Sequence, residues 1–309
     1  MTVVAAPSER RQAVQRRRRR LKGDRLASVL VLVPSMIAIA VFVYVFVAWT
    51  MYTSVINWTG IVPDSTLVGF KNFARLFGDS RFLIDLRNLG LFSASFIVQC
   101  LVIGFALAAL INSKIRIEGL FRTIFILPFA ISPVVTGVIW HWLLDPQAGV
   151  NSLLRSAGLG FLANGWYTDS TWGILSVSVA AAWQMSGYVM ALYLAGLRAL
   201  PQELMEAAVM DGCGTWALYR RIVIPLLKPV TFSAVIITGM LSIKLFDLIA
   251  SMTGSGPAFA EDTLGFNMYQ LAFSSNRFSL SAAVAVVMIL IATVLLVPHL
   301  MSVERKAKR

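Results

Sequence analysis

A chain of 309 residues that is 58% hydrophobic and only 14% charged, with a mean hydropathy of +0.75, does not have the composition of a soluble domain. It reads as an all-α, polytopic membrane protein. The net charge of +12 would suggest nucleic acid in a soluble chain, but the basic residues cluster beside apolar runs, where they report orientation, and no nucleic-acid partner is expected. Cys100 lies in an apolar run and Cys213 in a polar loop, which supports neither a disulfide nor a metal site, and His141 and His299 sit near the ends of runs.

Residues 1–25 carry nine Lys or Arg, including the unbroken run Arg16 to Arg20, and read as a basic cytoplasmic tail in contact with anionic lipid headgroups. The apolar stretch that follows, from Leu26 to Met51, is too long for a signal core and lacks a small-residue cleavage site, so it reads as an uncleaved first span. Five more spans are predicted, at 88–112, 120–143, 172–197, 230–253 and 280–300. Each is long enough for a hydrocarbon layer of about 30 Å at about 1.5 Å per residue. Segments on one side of these six spans hold twenty basic residues against six on the other, which puts both termini and the 198–229 loop in the cytoplasm. The membrane domain is thus expected over 26–303, with a short basic tail at 304–309.

Between the first two spans, LVGFKNFARLF places Phe70, Phe73, Ala74 and Phe77 on one helical face, the pattern of a helix lying along the membrane surface. Pro128 and Pro133 predict a kinked third span packed against protein. Beyond it DPQAGVNSLL has turn chemistry at Pro146 and Gly149, and the external loop to Ser170 is rich in Gly, Asn and Trp.

The 203–229 stretch, ELMEAAVMDGCGTWALYRRIVIPLLKP, is a polar interval between two apolar runs. Pro201 near a helix start, Glu203 and Glu206 in the early turns and good helix formers behind them predict a short helix to Met210, ended by Gly212 or Gly214. A second short helix is expected from Thr215, as N-cap, to Val223, stopping before Pro225. By itself this could be an ordinary solvated helical loop.

The spacing of Glu206-Ala207-Ala208, Gly212, Ile222 and Ile224-Pro225 resembles the E-A-A-x3-G-x9-I-x-L-P cytoplasmic loop of ABC importer permeases, with Ile224 a conservative departure from Leu. Residues 67–88, FRTIFILP at 121–128, the 140–154 stretch and FDLIASMTGSGP at 246–257 are similar to the carbohydrate-uptake members, of the maltose or glycerol-phosphate type and the first of their two permeases. Asn88-Leu89 departs from the usual Asn-Thr. The resemblance implies that the loop, including Asp211, docks into a cleft of a separate ATPase chain that holds ATP and Mg, with Glu206 as the paired charge. It also implies a homologous second permease and an extracytoplasmic solute-binding protein as partners. No G-x-x-x-x-G-K-[ST] phosphate loop occurs in this sequence, and no nucleophile–base or paired-carboxylate set suggests an enzyme.

Polar side chains inside spans are functional candidates, because burying them in lipid is costly. In the fourth span Gln184 and Tyr188 share a face, with Trp183 and Ser186 adjacent; the stripe suits either a sugar or hydrogen bonding between helices. In the fifth, Thr238, Ser242, Lys244 and Asp247 follow, and Lys244 and Asp247 could pair three residues apart on one helix face. That pair is open to two readings, a structural ion pair or charge facing the translocation path of a polar or anionic cargo. Three functions remain: an ATP-driven permease for a sugar or, alternatively, a glycerol-phosphate-type cargo; an ion-coupled secondary transporter using Lys244 and Asp247; and a membrane scaffold or enzyme subunit without transport.

Overall fold

The structure, a computed structural model, describes residues 29–113 and 117–307, so the basic tail, Lys114, Arg116 and the last two residues lie outside the described residues. No β-strand occurs among the described residues, only an isolated antiparallel bridge between Ile56 and Leu67. Among the described residues four helices are long and apolar enough to cross a membrane, or up to six if each of two bent pairs is one crossing.

The chain divides at Thr53 into two units. The first is built on α1 (Val29–Ser54), apolar throughout, with one widened π turn at Ala40–Val45. Two of its hydroxyls return to its own carbonyls, Ser35 Oγ to Leu32 at 2.8 Å and Thr50 Oγ1 to Phe46 at 2.9 Å, which suits a lipid surrounding.

In the second unit α2 (Lys71–Phe77) is short, and its orientation differs from the one its aromatic pattern predicts. Asn72 donates to the carbonyls of Ser54 (2.9 Å) and Ile56 (2.8 Å), which turns Asn72 and Leu76 inward and leaves Phe70 and Phe77 exposed. A buried amide must keep its partners, and this outweighs the apolar face. Next, α3 (Ser80–Asn112) begins eight residues before the predicted span, capped by Asp79, whose side chain accepts from the Arg81 amide.

The core of the unit is α3 packed lengthwise on α7 (Gly173–Arg198), the most buried of the long helices. Small residues let the helices approach, since apolar attraction between helices is weak in lipid. A Cβ on Gly104 would lie 2.7 Å from Val189 Cγ1, and one on Gly187 would lie 1.8 Å from the Phe125 carbonyl oxygen. The predicted third span is two helices, α4 (Glu118–Ala130) and α5 (Pro133–Leu143), bent by 98°. Ile131 and Ser132 are extended (ψ 140° and 139°), the conformation that Pro133 imposes on Ser132 before it, and Pro133 opens α5 where no N–H is needed. Beyond α6 (Gly149–Ser156) and α7 come α8 (Gln202–Met210) and α9 (Thr215–Leu226).

The fifth predicted span also divides. Helix α10 (Lys228–Ile243) meets α9 at 64° and stops at Ile243; after a break, α11 (Asp247–Met252) follows. Helices α12 (Leu264–Tyr269) and α13 (Phe278–Ala307) complete the unit, α13 packing on α2 and α3 through Leu76, Phe82, Ala283, Val284 and Val287. Because Gly187 has no room for a methyl group, Gly187→Ala is expected to destabilise the fold by about 1–3 kcal/mol. This is measured as a lowered Tm of the purified protein. Gly90→Ala, with nothing within 4 Å of its Cβ, should leave the Tm unchanged.

Candidate functional site

Both helix breaks open onto one cavity of about 360 Å³, lined by Phe129, Ile131 and Pro133 from the α4/α5 break and by Lys244 to Leu248 from the α10/α11 break. Phe92 and Phe96, stacked with centroids 5.3 Å apart, supply an aromatic wall from α3; Gln184 and Met185 supply α7. Irregular backbone at membrane depth persists only where protein or a cavity satisfies it. Here Gln184 Nε2 donates to the Ile131 carbonyl at 2.6 Å, and Thr263 Oγ1 donates to that of Leu245 at 3.1 Å.

Lys244 and Asp247 do not share a helix, because α10 ends at Ile243 and Asp247 begins α11. The predicted ion pair is therefore absent: the ion pairs among the described residues are Arg81–Asp262 and Arg198–Glu118. Both side chains are exposed on the cavity wall. The remaining polar candidates lie elsewhere. Tyr188 stacks on Phe129 at 5.1 Å and Trp183 meets Trp140 edge-on at 6.0 Å. Ser186 is buried and bonds back to the Trp183 carbonyl. Thr238 is fully buried and donates to the Ala234 carbonyl, and Ser242 accepts from Ser93 at 2.7 Å. Tyr188, Trp183 and Ser242 thus join helix to helix and Ser186 and Thr238 return to their own helices, while Gln184 joins α7 to the α4/α5 break and also faces the cavity.

At the end of α7, Arg198 pairs with Glu118 of α4, and the chain turns into α8. Gly212, at φ +77°, takes the left-handed position that ends α8, and the Cys213 amide closes the turn on the Ala208 carbonyl at 3.0 Å. The N-cap of α9 is Gly214 rather than Thr215, and α9 runs through Pro225 to Leu226 instead of stopping before it. A π turn over Tyr219–Val223 accounts for this: it widens the helix where Pro225 brings no N–H and its ring crowds the carbonyl four residues back. Glu206, Ala207, Asp211, Gly212 and Pro225 are exposed, Ile222 is half-buried and Ala208 is buried against the core. Sequence reasoning missed the apolar part of this face: Met210 is 86% and Trp216 78% exposed, where single helix-period positions gave no reason to notice them.

A second missed feature ties the far end of α3 to the 253–270 segment. Arg81 Nε bonds Asp262 at 2.5 Å and its guanidinium lies 4.7 Å over Phe259, Asn88 donates to the carbonyls of Phe259 and Asp262, and Asn267 donates to Asp85. Their spacing at 81, 85 and 88 marks one helix face, a signal that was available. Beside them Glu261 is fully buried, and neither of its carboxyl oxygens has a hydrogen-bond partner. They lie against Gly173 and Gly256, where a Cβ would fall 1.6 and 1.1 Å away. Burial pushes this carboxyl up to about 8.

Residues 100–305 match the family described as binding-protein-dependent transport system inner membrane component. A protein of Pyrococcus horikoshii described as a probable ABC transporter permease is 41% identical over 273 residues, 88% of this chain and 94% of that protein. An sn-glycerol-3-phosphate transport system permease of Yersinia pestis is 33% identical over 79% of this chain and 83% of its own length. Among solved structures, a bacterial ABC transporter that imports the acidic polysaccharide alginate matches with a TM-score of 0.77 at 22% identity, covering 94% of this chain and 99% of that one. Nothing in these similarities supports the ion-coupled alternative.

The Glu261 environment predicts a pH dependence. An acid raised in the folded state stabilises most fully below its unfolded value, and that contribution is lost as pH rises through the folded one, here about 8. Thermal stability should therefore fall between about pH 5 and pH 8. Glu261→Gln should flatten the fall, as read from Tm against pH for the two proteins.

Proposed function

The chain belongs to the inner-membrane components of binding-protein-dependent transport systems, and from that premise we propose that it forms the translocation path of an ATP-driven importer for a sugar. The observation that carries this reading is the direct connection from cavity to loop: α7 lines the cavity with Gln184 and Met185 and runs directly into α8, whose Glu206, Ala207, Asp211 and Gly212 face outward. Separate ATPase chains bind ATP and Mg and grip this face, with Glu206 as the paired charge and Met210 and Trp216 as apolar anchors. A homologous second permease completes the pore, and an extracytoplasmic binding protein delivers the cargo. Both termini are cytoplasmic, on the side of α8 and α9, as the charge asymmetry requires.

Sugar cargo is supported by the aromatic wall of Phe92, Phe96 and Phe129 with Gln184, Lys244 and Asp247 as polar contacts, since sugar rings stack on aromatics while their hydroxyls need hydrogen bonds. A second reading, a glycerol-phosphate compound, is favoured by the exposed Lys244 in the same wall, and the Yersinia pestis relative transports sn-glycerol-3-phosphate.

The test is ATP hydrolysis and uptake by the reconstituted complex as loaded binding protein is added. One cargo should stimulate both. Glu206→Lys should abolish stimulation while the chain still inserts, because reversing a docked charge costs about 2 kcal/mol or more. Lys244→Gln should raise the half-saturating cargo concentration and leave hydrolysis coupled. Uptake that persists without an ATPase chain would overturn the reading.

A further inference from the structure

At the end of α3 remote from α8 and α9, a second cleft of about 400 Å³ opens between α2, the start of α3 and the segment leading into α13. Arg75 and Arg277 line it together with Thr59, Asp79 and Asn267. Neighbouring arginines are engaged by protein: Arg81 by Asp262, Arg87 by the Thr171 carbonyl and the Trp172 ring, and Arg155 by the Pro146 carbonyl. Arg75 and Arg277 are exposed, and neither guanidinium has an ion pair or hydrogen bond among the described residues.

The depth of the cleft in the bilayer follows from α13. Arg277 directly precedes the apolar part of α13, which carries no Lys, Arg, Asp or Glu from Phe278 onward until Glu304, so the guanidinium stands at headgroup level where the helix enters the hydrocarbon layer. Exposed rings surround the same region, Phe70 just before α2, Phe77 at its end and Phe273 before α13, with Phe70 79% and Phe273 71% exposed. Two cations beside apolar rings at this depth match a phosphodiester with acyl chains below it. Asp79 adds a carboxylate with one oxygen engaged by the Arg81 amide, and Asn267, which donates to Asp85, has an amide oxygen without a partner. These acceptors suit a headgroup that also carries hydroxyl donors.

We propose that this cleft binds the headgroup of an anionic glycerophospholipid of the phosphatidylglycerol type, from the leaflet opposite α8 and α9, with Arg75 and Arg277 on the phosphate and Asp79 toward the glycerol hydroxyls. The occupant is a lipid rather than a protein, because the cleft lies beside exposed aromatic rings at headgroup depth.

Native mass spectrometry of the full chain with its partner subunits provides the test, with phosphatidylglycerol and phosphatidylcholine of matched chains titrated into the detergent. The wild-type complex should retain phosphatidylglycerol in preference to phosphatidylcholine. Arg75→Gln or Arg277→Gln should each weaken that retention by about tenfold, the equivalent of one charge-assisted hydrogen bond, and the double variant should show no preference. Both residues are exposed, so assembly and Tm in phosphatidylcholine should not change. Equal retention by wild type and double variant overturns the proposal. Displacement of the lipid by inorganic phosphate overturns it in favour of a small-anion site. Unchanged lipid retention with weakened capture of the extracytoplasmic binding protein overturns it in favour of a protein-docking surface.

Discussion

The second unit depends on one constraint: backbone polar groups released by breaking a helix inside a bilayer must find partners within the protein. Two of the breaks among the described residues line the cavity, at Ile131–Ser132 and at Lys244–Phe246, and each has a specific donor, Gln184 for the Ile131 carbonyl and Thr263 for that of Leu245. With those bonds in place the chain can leave helical geometry, and the space it vacates is the cavity. Gln184 is therefore both a brace and part of the cavity wall. A change at this position alters the geometry of the break as well as any contact to cargo.

The same unit connects the cavity to the loop mechanically. Tyr219 of α9 meets Phe105 of α3 at 6.2 Å, Phe105 meets Tyr193 of α7 at 5.4 Å, and the Tyr193 hydroxyl donates to Thr231 of α10 at 3.0 Å. Gly196 of α7 lies against Val230 and Leu227 with no space for a side chain. A force on α8 and α9 thus reaches three long helices through packed contacts, which shift between discrete arrangements and do not stretch. Helix α10, which carries one side of the cavity at its far end, receives that force both from α9 and through Thr231.

Much of this was legible in the residues. Apolar runs located the long helices, Pro128 and Pro133 marked the α4/α5 break, and the spacing from Glu206 to Pro225 identified the family. Where the reading departed from the structure, tertiary partners had overruled local pattern. The break after Ile243 has no Gly or Pro to announce it and is held by Thr263, eighteen residues beyond Leu245. Helix α2 turned because of two hydrogen bonds from Asn72, which no periodicity records. The early start of α3 follows from Arg81, Asp85 and Asn88 finding partners in the 253–270 segment, so a polar stretch that hydropathy assigns to a loop is helical. The five polar candidates away from the cavity share this lesson: residue type identified polar positions inside spans, and only packing shows whether each faces a helix or an opening.

In the proposed importer, movement of the α8–α9 loop switches the side from which the cavity between the broken helices is reached. Replacing Leu241, on the cavity wall, with cysteine in a chain whose Cys100 and Cys213 have been substituted allows this to be measured in oriented proteoliposomes with a membrane-impermeant thiol reagent. Labelling is expected from the loop side without nucleotide and from the opposite side when the ATPase subunits are held closed on ATP, with the switch lost in Glu206→Lys. Labelling from the same side in both states would contradict it.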